Sequence, residues 1–274
     1  MKKIVRSSLL LVLLSVFLLV GCTGGPESEV EVDAGIEVAQ EEEAAPDAAE
    51  PEVAPAVAAE PEPEEDAEER AEERGPVSIL FVGNSFTFYG DVPGQLQTLA
   101  GAQGVEIIYR DISRGGATLN DSKESAIQEM EAGNFDYIVL QDQSMRPAID
   151  LNGFLDDVRA LSGAARENGV TLVLFNPAAF DEDMLQVMAN AAYSHAAEVV
   201  DAILIDAGGA WLYADLVIPG LAPAKGGNQA FLAACVFAAT LFDLHITEIP
   251  DGNRYNSGDA LALAQIAWDF VRSS

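Results

Sequence analysis

Three short segments of the chain are rich in the residue types that acyl-transfer chemistry uses. They are 83–87 (Gly-Asn-Ser-Phe-Thr), 113–119 (Ser-Arg-Gly-Gly-Ala-Thr-Leu) and 141–144 (Gln-Asp-Gln-Ser). A serine hydroxyl supplies a nucleophile, while backbone N–H groups and carboxamides supply donors for the oxyanion that forms when an ester carbonyl is attacked. Each segment alone is also an ordinary turn composition. The functional interpretation therefore depends on whether the three segments meet.

Each of these segments follows an apolar run that is typical of a buried strand. The runs are 77–82, 105–112, 135–140, 170–175 and 202–205, and helical patterns occupy 92–103, 119–132, 150–168, 182–200, 228–242 and 258–272. Short β-branched runs that alternate with helices indicate a parallel sheet covered on both faces. We therefore predict a three-layer, flavodoxin-like α/β fold with about five parallel strands. The three segments would then share the carboxyl edge of the sheet, where ligands bind in such folds.

On these segments the chain resembles the SGNH (GDSL-type) hydrolases, which split esters or deacetylate sugars with a serine nucleophile. Residues 79–85 are similar to the first sequence block of that family, with Asn84 where many members have Asp. Residues 116–118 are similar to the second block, and 139–144 to the third block of a subgroup that carries glutamines there. The resemblance covers nearly all of 77–245.

The resemblance implies roles for three residues. Ser85 falls at the nucleophile position, and its backbone N–H would join the oxyanion hole. Gly116 falls at the oxyanion glycine, and Gln143 stands where the usual family has its oxyanion asparagine. The implied activity is hydrolysis of esters by a serine hydrolase.

The last block of the family departs from its pattern in this chain. Members carry Asp-x-x-His near the C-terminus, whereas this chain has Pro219-Gly220-Leu221-Ala222-Pro223. On that register Pro219 occupies the Asp position and Ala222 the His position, and neither side chain takes a proton. Since a serine hydroxyl is a weak nucleophile without a base, the activity is expected to be weakened or lost.

Five other residues of the chain are candidates for a replacement base. The sequence holds two histidines. His195 shares an apolar helix face with Met184 and Met188, and His245 follows the end of a helix that points away from the predicted edge, so both favour structural roles. Three carboxylates could act as the base if one lies near Ser85 with a raised pKa. They are Asp142, Asp206 and Asp215.

The first 75 residues predict export and tethering. A basic start and the uncharged run 9–20, shorter than the roughly 18 residues of a membrane span, are typical of a secretory signal. Residues 19–22 (Leu-Val-Gly-Cys) resemble the lipobox of bacterial lipoproteins, which implies membrane anchoring in the bacterial cell envelope through acylated Cys22. An uncleaved anchor helix is the alternative. We assign 1–22 to the signal peptide, 23–75 to a disordered acidic spacer rich in Pro, Ala and Glu, and 76–274 to the SGNH-hydrolase-like domain.

Composition excludes several classes of partner and cofactor. The chain has 45 acidic and 14 basic side chains and a net charge of −31, so nucleic-acid binding, which needs clustered Lys and Arg, is not expected. Two isolated histidines and few cysteines do not make a metal-ligand set, and there is no phosphate-binding loop, so we predict no metal and no cofactor. Cys235 lies in an apolar helical run and is expected to be a core residue.

Three functions remain open from the sequence. The leading one is a tethered SGNH-fold protein with weakened or lost esterase activity and a retained pocket for a glycan or an acyl ester. The second is an active serine esterase or carbohydrate deacetylase that uses Ser85 with an unorthodox base, and the third is a structural or interaction module. A carboxylate in contact with the Ser85 hydroxyl would favour the enzyme. A pocket lined by Phe86, Trp211 or Tyr213 without such a carboxylate would favour binding.

Overall fold

A five-stranded parallel sheet forms the centre of the molecule. The computed structural model describes residues 75–179, 183–218, 227–251, 253, 255 and 258–273. The strands are β1 Val77–Val82, β2 Ile107–Asp111, β3 Tyr137–Leu140, β4 Thr171–Asn176 and β5 Ile203–Asp206. They pair in the order β2-β1-β3-β4-β5, all parallel. The predicted α/β fold class and strand number are thus confirmed.

Helices follow the strands and cover the sheet. In the described part of the chain they are α1 Ser85–Phe88, α2 Val92–Gly101, α3 Leu119–Ala132, α4 Arg146–Ile149, α5 Leu151–Glu167, α6 Asp183–Val200, α7 Ala207–Val217, α8 Asn228–Phe242 and α9 Ala260–Ser273. None of the described helices combines the length and the apolar character that crossing a membrane would require. The predicted signal peptide and nearly all of the predicted spacer lie outside the described residues.

The two faces of the sheet bury separate apolar cores, because side chains of a strand alternate between faces. On one face Ile79 and Phe81 of β1 pack with residues of α2, α7, α8 and α9. On the other face Leu80 and Val82 pack with residues of α3, α5 and α6. Burial on both faces explains why the central strands read as continuous apolar runs. Both sets of helices therefore hold β1 in place up to the residue before the first polar segment.

Strand β2 lies at one edge of the sheet and is shorter than the apolar run that predicted it. Only Ile107 of the strand is buried. Arg110, near the end of β2, donates two hydrogen bonds of 2.6 Å to the Glu129 carboxylate on α3. A charged side chain on an edge strand discourages pairing with another chain.

The sequence prediction missed helix α7. The helix begins with Ala207 and then the pair Gly208-Gly209, and glycine has poor helix propensity. The Asp206 carboxylate caps the helix by accepting the Gly209 N–H at 2.9 Å. A Cβ on Gly208 would lie 2.2 Å from Gln186 Nε2 and 2.7 Å from Asn190 Oδ1. Close packing against α6 therefore requires the first glycine.

Cys235 lies at the centre of α8 and is fully buried among apolar side chains. It is a free thiol, and burial raises its pKa. The expectation that it is a core residue is met by this placement.

Candidate active site

Ser85 is the first residue of α1, three residues beyond the end of β1. It is half-buried and lines a pocket between α1, the end of β4 and the start of α8. The other lining residues are Phe86, Tyr89, Gly90, Phe175, Pro177, Ala178, Gln229, Ala230 and Ala233. Apart from Ser85, Gln229 and the Tyr89 phenol, this lining is apolar or glycine. No described residue forms a hydrogen bond with the Ser85 hydroxyl.

Asn84 joins the three polar segments. It is 2% exposed, and its Nδ2 donates to the carbonyl oxygens of Ala117 at 3.2 Å and Asp142 at 3.0 Å. Its Oδ1 accepts the Phe86 N–H at 3.2 Å and so caps α1. The segments 83–87, 113–119 and 141–144 therefore meet at the carboxyl edge, as predicted.

The Gln141 side chain forms hydrogen bonds at the same junction. Its Oε1 accepts the Asn84 N–H at 2.9 Å and the Thr87 hydroxyl at 3.0 Å, and its Nε2 donates to the Asp142 carbonyl. Gly83 leaves the room that this arrangement needs, because a Cβ there would lie 2.4 Å from Thr87 Oγ1 and 2.8 Å from Gln141 Oε1. Gln141 is 1% exposed, so it positions the segments and does not face a ligand.

Gly116 occupies a tight turn in the second segment. The Ala117 N–H donates to the Arg114 carbonyl at 3.1 Å, and Gly116 has φ of +70°. A positive φ at this position of a turn favours glycine. The Arg114 N–H also donates to the Gly83 carbonyl at 3.0 Å, which holds this turn beside the first segment. Gly116 is exposed and lies outside the residues that line the Ser85 pocket.

Gln143 begins the turn that leads into α4. Its Oε1 accepts the N–H groups of Met145 at 2.9 Å and Arg146 at 3.1 Å. Its Nε2 lies 3.5 Å from the Ser144 hydroxyl, at the limit of a hydrogen bond. The carbonyl end of the side chain is thus committed to the turn, and only the amide end is left for a ligand.

None of the three candidate carboxylates forms a hydrogen bond with Ser85. Asp142 is fully buried; burial raises its pKa, while the N–H groups of Leu119 and Gln143 and the Arg146 guanidinium act in the opposite direction. Burial also raises the pKa of Asp206, against hydrogen bonds from Gly209 and Asn176. Asp215 is exposed on α7. The raised pKa values are those expected of a base, but the geometry does not place these groups on Ser85.

Neither histidine reaches the site. His195 is exposed on α6 with Met184 and Met188, so the helix face that they share faces solvent. His195 lies about 18 Å along the helix from its start at the carboxyl edge. His245 follows α8, whose first turn lines the pocket and whose last residue lies about 21 Å further on. There the His245 ring stacks on Trp268 at 4.8 Å and its Nε2 lies 3.0 Å from Gln265 Oε1.

Of the three aromatic residues that were candidates for the pocket lining, only one lines the pocket. Phe86 lines the pocket. Trp211 is buried in the core, and Tyr213 packs against Phe270 with ring centroids 6.2 Å apart. Within the described residues there is no group of three or more His, Cys, Asp or Glu side chains that could hold a metal ion.

Comparison with known proteins identifies the fold. No family profile and no curated protein matches the sequence. A protein from Slackia heliotrinireducens that is proposed to be an SGNH hydrolase matches with a TM-score of 0.50 and 24% identity, over 61% of this chain and 100% of its own. A DUF4886 family protein from Bacteroides uniformis matches with a TM-score of 0.57 and 18% identity, over 72% of this chain and 95% of its own. The chain has the SGNH-hydrolase fold.

The SGNH-hydrolase fold confirms the resemblance at the level of architecture. The roles that the resemblance implies for Ser85, Gly116 and Gln143 stay predictions. Three further residues lie outside the described residues: Cys22, and Pro219 and Ala222, which the resemblance predicts to stand at the Asp and His positions.

Two polar residues of the site had not been singled out from the sequence. Gln229, in the first turn of α8, places a carboxamide in the Ser85 pocket, and no described residue bonds it. Its position depends on α8 returning to the carboxyl edge, which no local pattern reveals. Asn84 had been noted only as a replacement for Asp, although an asparagine directly before a helix is also a common cap.

Proposed function

We propose that the protein binds acyl esters in the pocket beside Ser85 and hydrolyses them only slowly. The observation that carries this proposal is the Ser85 hydroxyl in a largely apolar pocket, without a hydrogen bond to a histidine or a carboxylate among the described residues. Phe175, Ala178 and Ala233 favour the acyl part of a ligand, because they offer apolar contact and few polar partners. An acetylated or acylated glycan would place its acyl group there.

The proposed chemistry is attack of the Ser85 oxygen on the ester carbonyl, with the hydroxyl proton passing to solvent in the absence of a positioned base. The bond between the carbonyl carbon and the alcohol oxygen then breaks, and the alcohol leaves with a proton from water. A second water molecule hydrolyses the acyl-serine, which releases the acid and restores the Ser85 hydroxyl. Backbone N–H groups of Ser85 and Gly116, with the Gln143 amide, would receive the oxyanion. In well-studied serine hydrolases, loss of triad members lowers turnover by about 10⁶-fold and leaves roughly 10³–10⁴ over the uncatalysed reaction. A chain of this kind would turn over slowly while still binding its ligand.

We further propose that the protein is exported and anchored through acylated Cys22. Leu19, Val20 and Gly21 before that cysteine, and the acidic, Pro-rich stretch after it, support this assignment. Multiple acyl chains give stable anchoring where one chain gives only reversible binding. Labelling of expressing cells with a tagged palmitate should mark the parent protein and leave Cys22→Ala unlabelled. Equal labelling of both would overturn the assignment.

The catalytic part is tested with the full-length protein and 4-nitrophenyl butyrate. Ser85→Ala is compared with Ser125→Ala, which removes an exposed hydroxyl from α3. We expect slow turnover in the parent, and a gain of at least tenfold in Pro219→Asp/Ala222→His that disappears when Ser85→Ala is added. Parent turnover in the range of ordinary enzymes, about 1 s⁻¹ or more, that is lost in Ser85→Ala would show an active esterase with a base outside the described residues.

The binding part uses N-phenylbutyramide, an amide analogue that is not turned over. Saturation-transfer NMR should show contact with the parent protein and a loss of signal in Ala233→Leu, which fills the pocket. The control is Ala160→Leu on the exposed side of α5. Absence of both binding and turnover would overturn the proposal in favour of a structural or interaction module.

A further inference from the structure

Both carboxyl oxygens of Asp142 accept hydrogen bonds, one from the second and third segments and the other from Arg146 on α4. Its Oδ1 accepts the Leu119 N–H at 2.9 Å and the Gln143 N–H at 2.7 Å. Its Oδ2 accepts from Arg146 Nη1 at 2.9 Å, and the side chain is fully buried. One carboxylate thus ties the end of the second segment to the middle of the third.

The backbone of Asp142 is held as firmly as its side chain. Its N–H donates to the Tyr193 hydroxyl on α6 at 2.9 Å. Its carbonyl accepts from Asn84 Nδ2 at 3.0 Å and from Gln141 Nε2. Asp142 therefore contacts all three polar segments at once, and the buried Tyr193 ties its backbone to α6.

A series of ion pairs of alternating charge extends from the Asp142 carboxylate. Arg146 Nη2 donates to Asp157 Oδ2 at 2.6 Å, and Lys123 Nζ donates to Asp157 Oδ1 at 2.6 Å. The side chains of Arg146 and Asp157 are 16% and 6% exposed. Asp150 adds a longer contact of 3.5 Å to Arg146. Removal of one of these charged side chains would leave a buried charge uncompensated. The ion pairs therefore hold the Asp142 carboxylate in its position.

We propose that Asp142 is a positioning residue for the Ser85 site. Its carboxylate sets the second segment, with Gly116, against the third segment, with Gln143, and Arg146, Asp157 and Lys123 hold the carboxylate in place. Asp142 forms no hydrogen bond with Ser85, so its effect on a ligand passes through the segments that it joins. The inference rests on the proposed function of the Ser85 pocket.

The substitution Asp142→Asn isolates this effect. An asparagine of the same shape can keep one oxygen for the Leu119 and Gln143 N–H groups, but it turns an NH₂ group toward the Arg146 guanidinium, where two donors oppose each other. The reversed orientation relieves Arg146 and loses both N–H contacts. The first orientation breaks the contact with Arg146, and the second breaks the join between the second and third segments. Either way Asp142→Asn loosens the hold on these segments, while the apolar cores stay the same.

The first readout is amide hydrogen exchange in the full-length protein, which needs no ligand. We expect at least tenfold faster exchange at Leu119 and Gln143 in Asp142→Asn, with the amides of β1 and β3 unchanged. Asp157→Asn should show the same pattern more weakly, and Asp156→Asn, an exposed neighbour on α5, should show none. Unchanged exchange at Leu119 and Gln143, or an equal increase throughout β1 and β3, would overturn the proposal.

The second readout is the kinetics of ester hydrolysis that depends on Ser85. A positioning role predicts that Asp142→Asn lowers kcat at least tenfold with KM changed less than twofold, and Arg146→Lys, which keeps the charge, should retain more of kcat than Arg146→Met. Equal loss in those two variants would count against it. If the parent protein neither binds nor turns over the esters, the proposed function fails. The exchange experiment then still decides whether Asp142 orders these segments.

Discussion

Replacement of Asn84 by Asp tests the junction of the three polar segments. It exchanges the side-chain NH₂ group for an oxygen and leaves the shape of the side chain nearly unchanged. The Asn84 Nδ2 donates to two carbonyl oxygens, of Ala117 at 3.2 Å and of Asp142 at 3.0 Å. An ionised aspartate has no donor and would point an oxygen at both carbonyls. By the resemblance, Asn84 stands where many SGNH hydrolases have Asp. In this chain the two carbonyl oxygens require the N–H donors of an amide.

The cost of Asn84→Asp follows from burial. Asn84 is 2% exposed, and the change removes two hydrogen bonds and leaves a buried charge without a cation in contact. An unsatisfied buried group costs about 1–3 kcal/mol, and an uncompensated buried charge about 3–5 kcal/mol. Because these penalties overlap, we expect the free energy of unfolding to fall by about 3–5 kcal/mol at pH 7. That is a large part of the roughly 5–15 kcal/mol that stabilises a typical domain.

The loss should shrink in acid. Burial raises the pKa of the introduced carboxyl above that of an unfolded aspartate, so its protonated form favours the folded state. The variant therefore gains stability relative to the parent as the pH falls through the raised folded-state pKa, and the gain is complete below the unfolded pKa of about 3.9. A protonated carboxyl also restores one O–H donor.

Urea unfolding followed by circular dichroism at pH 7 and pH 4.5 measures both effects. Asn134→Asp, at an exposed residue before β3, is the control for an added negative charge. The reasoning is refuted if Asn84→Asp unfolds within about 0.5 kcal/mol of this control at pH 7, since exposed substitutions usually stay in that range. A deficit that is the same at both pH values would refute the electrostatic part alone.

Four further substitutions test packing and capping. Gly208→Ala should destabilise by about 1–3 kcal/mol in urea unfolding because its Cβ meets bonded amides on α6, whereas Gly163→Ala, with open space in α5, should stabilise by about 0.5–1 kcal/mol. Phe237→Ala should cost about 3–5 kcal/mol, because the ring is fully buried between two other phenylalanines; a loss below 1 kcal/mol in the same assay would contradict this. Asp121→Asn should lower the urea midpoint at pH 7, since hydrogen bonds from Thr118 lower the pKa of Asp121. A lowered pKa stabilises the fold above the unfolded value of about 3.9, so the difference should close as the pH falls below it, and a constant difference would contradict the capping role.

The sequence was a good guide to the elements whose burial follows a simple pattern. The predicted bounds of β1, α3 and α8 agree with the structure, because each is an apolar run or a periodic face with clear ends. Helix α7 was missed, since Gly208 and Gly209 look like a turn until the close packing of α6 is known. Strand β2 was predicted too long, because an edge strand with one buried residue still reads as a β-branched run.

The site was predictable only to the level of which segments meet. Parallel strands place their carboxyl ends at one edge, so the convergence of the segments beside Ser85 followed from the fold class. The hydrogen bonds of Asn84 depend on where two carbonyls end up in space, and composition carries no signal of that. Asp142 is a candidate base by its acidity and its place after the third strand, whereas the structure engages its carboxyl oxygens with Leu119, Gln143 and Arg146. Gln229 enters the pocket from a helix more than 140 residues away in the sequence.

The buried thiol of Cys235 provides a built-in reporter of opening. Reagents that modify thiols need the thiolate, and both burial and the raised pKa withhold it in the folded protein. Modification must therefore wait until α8 separates from the sheet. Under the proposed acylation, Cys22 carries no free thiol to add background. The rate at which Cys235 is labelled would then measure how often α8 opens away from the sheet. Since α8 supplies one wall of the Ser85 pocket, no introduced probe is needed to follow the opening of that wall.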